Sequence, residues 1–317
     1  MSRRSSSPNS GLSGLLLIDK EPGLTSHDVV GAVRRIAGQR RVGHAGTLDP
    51  MATGLLLVLL GAATKLEPWL VKHEKTYQGV IQLGLSTDTD DVTGGELVRH
   101  HGPWPDRQEI ESALASFVGS GPQVPPAYCA LKVGGRSAHR AARSGEPLDI
   151  PARMVTAHGL TCLDWDPPNL SFWASVSSGY YIRSLARDLG CRLSLGGGAL
   201  AALRRLTVGR FSLEQAAGLP ADGLQLKARL FSPRQALEPL KEVELGSLEA
   251  GRFCSGGFLP VPPEVQNYSG PGPLKVIGPN GTLIALAEIS GLPDRAVPGQ
   301  PQGPFLRPLR VFRPEEI

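Results

Sequence analysis

The sequence predicts an α+β fold with a large first region and a smaller, mostly β region at its end. Three observations carry this expectation. Strand-like and helix-like segments are mixed without a regular β-α-β alternation. From about Leu240 the pattern changes to short strands separated by turn signals. The chain has 317 residues, enough for one large domain and a smaller one.

The start, MSRRSSSPNSG, is polar and serine-rich, lacks the apolar core of a signal peptide and reads as a disordered tail over residues 1–11. GLLLIDK is a buried strand stopped by charge and then by Pro22-Gly23. In TSHDVVGAVRRIAG, Ser26 is the expected helix cap and Asp28 lies in the first turn. Val29, Val30, Val33, Ile36 and Ala37 form the apolar face, and Gly38 ends the helix. GLLLVLLG is a second buried strand. ATKLEPWLVKHE is a short helix if Pro68 sits in its first turn or kinks it.

KTYQGVIQLG alternates as a half-buried strand, and STDTDDVTGGELV is an acidic turn opening into another. RQEIESALASFVG places Ile110, Leu114, Phe117 and Val118 on one helical face. Residues 120–155 are rich in Pro, Gly and Arg with little periodicity, which suits an inserted basic element. LSFWASVSSGYYIRSLARDLGCRL reads as a strand, a tight Ser-Gly junction and a helix with Leu185, Leu189 and Leu193 in register. ALRRLTVGRFSLEQA reads as a basic strand and then a helix. Beyond it, VELGSLEAGRFCSGGFLP, LKVIGPNGTLIALAEI and FLRPLRVFRP read as short strands, with a hairpin cue at Pro279-Asn280-Gly281.

Composition narrows the function classes. A net charge of +4 permits a polyanionic partner without demanding one. Cys129, Cys162, Cys191 and Cys254 form no C-x-x-C pair, so neither a zinc site nor a disulfide framework is expected. They read as small core residues suited to a reducing cytoplasm. The seven histidines form no metal-binding spacing, and the apolar runs are too short to span a bilayer. No phosphate loop, dinucleotide fingerprint, or serine or cysteine nucleophile signature is present, and no cofactor is expected.

Residues 40–54, RRVGHAGTLDPMATG, concentrate the polar chemistry. Asp49 before Pro50 reads either as an Asx turn or as a loop-held carboxylate nucleophile. Taken alone, a loop histidine such as His44 is more often exposed or packed than catalytic, a strand tyrosine such as Tyr77 is usually core, and an arginine at a helix start such as Arg183 is usually a surface charge.

Six ordered blocks decide among these readings. They are GLLLIDKEPGLTSHDVV, RRVGHAGTLDPMATGLLLVLLGAATK, KTYQGVIQLGLSTDTDD, VPPAYCALKVGGRSAHRAARSGE, SSGYYIRSLARDLG and LRRLTVGRF. Together they resemble the TruB-type tRNA pseudouridine synthases over most of residues 12–212. The resemblance implies a pseudouridine synthase fold with a mixed, largely antiparallel sheet flanked by helices. It implies a catalytic domain over residues 12–235 with an RNA-gripping insertion at about 125–153. It also implies, more weakly, a PUA-like RNA-binding domain over residues 240–317.

The implied reaction converts uridine to pseudouridine at position 55 of the tRNA T-loop. Asp49 resembles the nucleophile, Tyr77 the aromatic that stacks on the target base and helps move the C5 proton, and Arg183 the ion-pair partner of Asp49. Tyr181 and Leu203 resemble residues lining the uridine pocket. His44 resembles the residue that packs against the rearranged loop, and Asp91 matches an acidic residue of the family. RRIAGQRR, GGRSAHRAAR and LRRL then read as phosphate contacts. The implied partner is tRNA, through its T-arm and acceptor stem. The implied protein is a cytoplasmic monomer that uses no guide RNA or partner protein. The alternative is a non-enzymatic tRNA-binding or tRNA-folding protein on the same fold. For the C-terminal region, contact with the acceptor end and a purely stabilising role both stand. Glu21 departs from the family's Lys-Pro pairing, and the spacer CRLSLGGGALAA is glycine-rich.

Overall fold

The structure is a computed structural model that describes residues 11–270, 272–291 and 304–312. Residues 1–10, most of the expected tail, lie outside them. The chain begins β1 (Gly14–Lys20), α1 (Ser26–Ala37), β2 (Val42–Ala45) and β3 (Thr53–Leu60). A 3₁₀ turn leads into α2 (Glu67–Leu70), with Pro68 in its first turn, where a missing N–H breaks no helical bond. Next come β4 (Lys75–Leu83), β5 (Leu85–Thr87), β6 (Glu96–Arg99), α3 (Arg107–Ala115) and β7 (Gly119–Gln123). The inserted segment holds a small hairpin, β8 (Lys132–Val133) and β9 (Arg136–Ser137), followed by α4 (Ala138–Arg143). Then follow β10 (Arg153–Asp166), β11 (Asn169–Val176), α5 (Ile182–Arg192), β12 (Gly198–Val208), β13 (Phe211–Ser212), α6 (Gly223–Ala228) and α7 (Pro233–Ala236).

Nine strands form one sheet along the path β1-β3-β12-β4-β11-β10-β7, with β2 added on β3 and β13 on β12. Among the described strands, β3 pairs with β12 in parallel, with Thr53 opposite Arg204 and Gly54 opposite Arg205, and the other strand pairs of the sheet are antiparallel. Gly54 makes the parallel contact possible. Its φ is +96°, and a Cβ there would lie 2.4 Å from the Arg205 carbonyl oxygen.

Alternation along β1 and β3 fills two cores. Leu16, Ile18, Leu56, Val58 and Leu60 face one cluster with α1, α3 and α5; Leu15, Leu17, Leu55, Leu57 and Leu59 face another. Burial on both faces explains why these strands read as continuous apolar runs.

The C-terminal region adds β14 (Glu242–Glu244), α8 (Ser247–Cys254), β15 (Leu259–Pro260), β16 (Leu274–Ile277), β17 (Leu283–Ser290) and β18 (Phe305–Val311). The strands form a separate sheet in the order β14-β16-β17-β18-β15. Ile277, Leu283, Leu286 and Phe312 from this region complete the second core, together with Ala236 and Leu237. Lys65 reaches across the same boundary: its Nζ donates to the Val311 carbonyl at 2.9 Å and lies 5.6 Å from the Phe312 ring centre.

Several local expectations change. Thr25, not Ser26, caps α1: its side chain accepts from the Asp28 amide while Asp28 reaches back to the Thr25 amide. SLEAGRFC is the helix α8, built around buried Ala250 and Phe253, not a strand. The segment after β13 forms only a 3₁₀ turn at Leu213–Gln215. Val118 is exposed, because α3 ends before it. Cys191 is exposed on α5, whereas Cys129 and Cys162 are buried. The long strand β10 was hidden in a sequence broken by glycine and charge, and its register against β11 shifts twice.

Candidate active site

Asp49 sits in the loop between β2 and β3, and side chains from distant segments hold that loop through its backbone. At its start, the Arg205 Nη2 donates to the Gly46 carbonyl at 3.0 Å, and its Nε donates to the Leu55 carbonyl at 2.7 Å. Ser26 accepts from the Leu48 amide at 2.9 Å and donates to the Leu48 carbonyl at 3.1 Å. After Asp49, the Pro50 carbonyl accepts from the Gly23 amide at 2.8 Å and from the Lys20 Nζ at 3.2 Å. Lys20 also donates to the carbonyls of Glu21 and Leu24, so the Lys-Glu-Pro departure closes into a turn around its own ammonium. Burial pulls the Lys20 ammonium below the usual lysine range, and the nearby Asp49 carboxylate opposes that shift.

Arg183 enters from the first turn of α5. Its Nε donates to Asp49 Oδ2 at 2.8 Å and its Nη2 to Asp49 Oδ1 at 3.1 Å, a forked contact that fixes the plane of the carboxylate. Its Nη1 donates to the Thr89 carbonyl at 3.0 Å, and its Nη2 also donates to the Tyr128 carbonyl at 2.9 Å. The arginine side chain is 6% exposed and the aspartate 33%. The guanidinium is thus buried, while the carboxylate keeps part of its surface exposed.

The inserted segment is tied to the same helix. Gln123 and Tyr181 exchange hydrogen bonds, with the Tyr181 amide donating at 2.8 Å and the Gln123 Nε2 at 3.1 Å. The Val124 carbonyl accepts from Ser184 Oγ at 2.8 Å and Arg187 Nη2 at 2.9 Å. Tyr181 packs with Cys129, Ala138 and Ile150 of the insertion. Burial and the neighbouring Cys129 thiol push its phenol up to about 12.

Tyr77 lies on β4 opposite Ala174 and Arg205, and is buried. Tyr77 and Leu203 share an apolar cluster with Leu48, the residue before Asp49, and with Ile182, the residue before Arg183. His44 is half-buried on β2 opposite Val58. Burial, then the Arg205 charge, lowers its pKa, and its Nδ1 has no hydrogen-bond partner among the described residues.

Asp91 is placed differently from the others. Its Oδ1 accepts from the Thr93 amide at 2.9 Å and from the hydroxyls of Thr93 at 2.5 Å and Thr89 at 3.0 Å, holding the turn whose Thr89 carbonyl meets Arg183. Its neighbour Asp90 pairs with Arg187 at 2.9 Å from a left-handed backbone conformation, φ +60°. Burial raises the Asp90 pKa although Arg187 opposes it.

The expected phosphate contact at LRRL is half corrected. Arg205 is 1% exposed and donates to backbone carbonyls, so it frames the loop and cannot reach an RNA backbone. Arg204 stays partly exposed beside Asp19, at 2.7 Å. Sequence reasoning missed Ser26, Lys20 and Arg205 as supports of the Asp49 loop. All three lie inside the matched blocks, but nothing local tells a buried lysine from a solvated one.

Comparison with known proteins identifies the family. The family model described as TruB family pseudouridylate synthase (N terminal domain) matches residues 34–182. The chain is 43% identical over 286 residues to tRNA pseudouridine synthase B of Thermobifida fusca (strain YX), covering 87% of this chain and 94% of the relative. It is 49% identical over 301 residues to tRNA pseudouridine synthase B of Synechococcus sp. (strain WH7803), covering 92% and 97%. Among solved structures, a chain of a Cbf5-Nop10-Gar1 complex shares the fold with a TM-score of 0.69 at 23% identity, covering 95% of this chain and 85% of that one. With close relatives matched over nearly their whole length, this chain belongs to the TruB family of pseudouridylate synthases.

Proposed function

We propose that this protein isomerises uridine to pseudouridine in tRNA, acting at position 55 of the T-loop, with Asp49 as the nucleophile. The observation that carries this reading is the forked Asp49–Arg183 pair, with the guanidinium buried and the carboxylate partly exposed. The reaction breaks the N1–C1′ bond, turns the uracil and joins C5 to C1′; the C5 proton leaves and N1 gains one. An oriented carboxylate can attack C1′, assist glycal formation or add to C6, and the residues fit each route.

The target base must leave its stack and receive another. Tyr77 offers an aromatic face in the cluster that also holds Leu203; a base–aromatic stack is worth roughly 1–3 kcal/mol. His44, kept neutral by burial and Arg205, is suited to pack against a displaced loop base without adding charge. Tyr181 serves as a pocket wall braced by the insertion. Asp91 acts through the turn it holds, and thereby through the Thr89 carbonyl on Arg183.

The exposed arginines of the insertion and of the α1 exit serve the phosphate backbone, and the region from residue 240 onward serves the acceptor end. The protein works without a guide RNA, in the cytoplasm. The test is tritium release from tRNA carrying 5-tritiated uridine, with the modified position mapped. Asp49→Asn should abolish release while still binding tRNA. Appreciable turnover by the purified variant removes Asp49 as nucleophile. Binding without release by the parent protein favours the tRNA-folding alternative.

A further inference from the structure

We propose that Ser26 is a positioning residue for the Asp49 carboxylate, acting through the peptide group that enters Asp49. The proposal rests on the reading of Asp49 as the nucleophile. Helix α1 begins with a complete cap that does not use Ser26: Thr25 and Asp28 satisfy each other's amides. The serine hydroxyl is therefore free of the helix, and it is 2% exposed.

It spends both its hydrogen-bonding capacities on one residue. The Leu48 amide donates to Oγ at 2.9 Å, and Oγ donates to the Leu48 carbonyl at 3.1 Å. The first bond fixes the peptide before Leu48. The second fixes the peptide that joins Leu48 to Asp49. With the Leu48 side chain 3% exposed in the main core, residue 48 is held on both sides and by its side chain. Its φ and ψ set the direction in which the next Cα–Cβ bond points, so Ser26 aims Asp49 at the position where Arg183 receives it.

The remaining contacts do not duplicate this. Arg205 acts at Gly46 and Leu55, and Lys20 with the Gly23 amide acts at Pro50. Among the described residues, the hydrogen bonds to the Leu48 amide and carbonyl come from Ser26 alone. Removing the hydroxyl leaves two buried backbone groups unpaired and lets the peptide rotate. A misplacement near 1 Å at a reacting group can cost about a hundredfold in rate.

The experiment compares the parent, Ser26→Ala and Ser26→Cys. It uses tRNA with 5-tritiated uridine under single turnover, with a binding titration and a melting curve for each protein. Alanine should lower the single-turnover rate at least tenfold while the tRNA Kd stays within twofold. Cysteine keeps the volume but makes only weak hydrogen bonds, so it should fall in the same direction. If alanine fails to fold, the near-isosteric cysteine carries the test.

A merely structural role would lower the melting temperature and the reacting fraction, yet leave the rate of that fraction at the parent value. That result, or a defect confined to Kd, overturns the proposal. Turnover by Asp49→Asn would be a different failure, because it removes the nucleophile and not its support.

Discussion

Replacing Arg183 with methionine separates a catalytic ion pair from an RNA contact. Methionine keeps much of the length and the apolar stem but removes four donated hydrogen bonds. Two go to the Asp49 carboxylate, one to Thr89 and one to Tyr128. Breaking a fully buried ion pair by removing one partner costs about 3–5 kcal/mol. Here the surviving carboxylate is 33% exposed, so water recovers part of that loss. About 2–3 kcal/mol should remain in the chemical step, a slowing of about 30- to 150-fold.

The two abandoned carbonyls add an instability of about 1 kcal/mol each, which a melting curve reads separately. Lysine should restore charge but not the fork, and so recover only part of the rate. The assay is single-turnover tritium release at saturating enzyme, beside a tRNA titration. If Arg183→Met reacts at the parent rate once bound, or if its whole defect is weaker binding, Arg183 contacts phosphate and Asp49 lacks the partner assigned to it.

Two further perturbations test the frame around the site. Lys75 is buried with its Nζ donating to the Val71 and His73 carbonyls, and burial, helped by the Arg205 charge, lowers its pKa from 10.5 to about 8. Between those values the unfolded chain holds a proton that the folded chain has lost. Stability from this residue therefore rises as pH climbs from about 8 toward 10.5. The melting temperature of the parent minus that of Lys75→Met should grow across this window; a constant difference shows that the lysine is not depressed. Truncation before residue 240 uncovers the second core, where Leu15, Leu17, Leu57 and Leu59 meet Ile277, Leu286 and Phe312. At roughly 1.5–3 kcal/mol per large apolar side chain, the melting temperature should fall by about 10–20 °C. A truncated chain melting within a few degrees of the parent means the shared core adds little.

Periodicity made the buried strands and α1 legible. GLLLIDK and GLLLVLLG are apolar because both faces of β1 and β3 are covered. The twofold alternation of KTYQGVIQLG survives because β4 has a mixed environment. The ends of α1 were half legible: Gly38 takes the left-handed conformation at its close, but Thr25 and Ser26 compete for the cap. Only tertiary contact decides, since Ser26 finds Leu48 twenty-two residues away. In the same way, the Asp49–Arg183 contact spans 134 residues, so no local pattern contains it. The matched blocks supplied both names. What they could not supply was the environment that turns Arg205 inward and leaves Arg204 at the surface, because adjacent strand residues look alike until the sheet is built. Likewise α8 was read as strand because its eight residues are too short for a periodic signal to stand out.

The core that joins the C-terminal sheet to β1 and β3 has a consequence for how an RNA is sorted. Strand β3 begins just after the Asp49 loop, and its Leu55, Leu57 and Leu59 side chains are packed against the apolar cluster that includes Phe312. The strand that follows the loop and the distal sheet are thus joined by packed side chains and not by a tether, so the spacing between them is fixed by that shared core. For an RNA that touches both, the folded length between its reacting loop and its far end has to match that spacing. A stem that is too short or too long loses one grip while keeping every base at the reacting end.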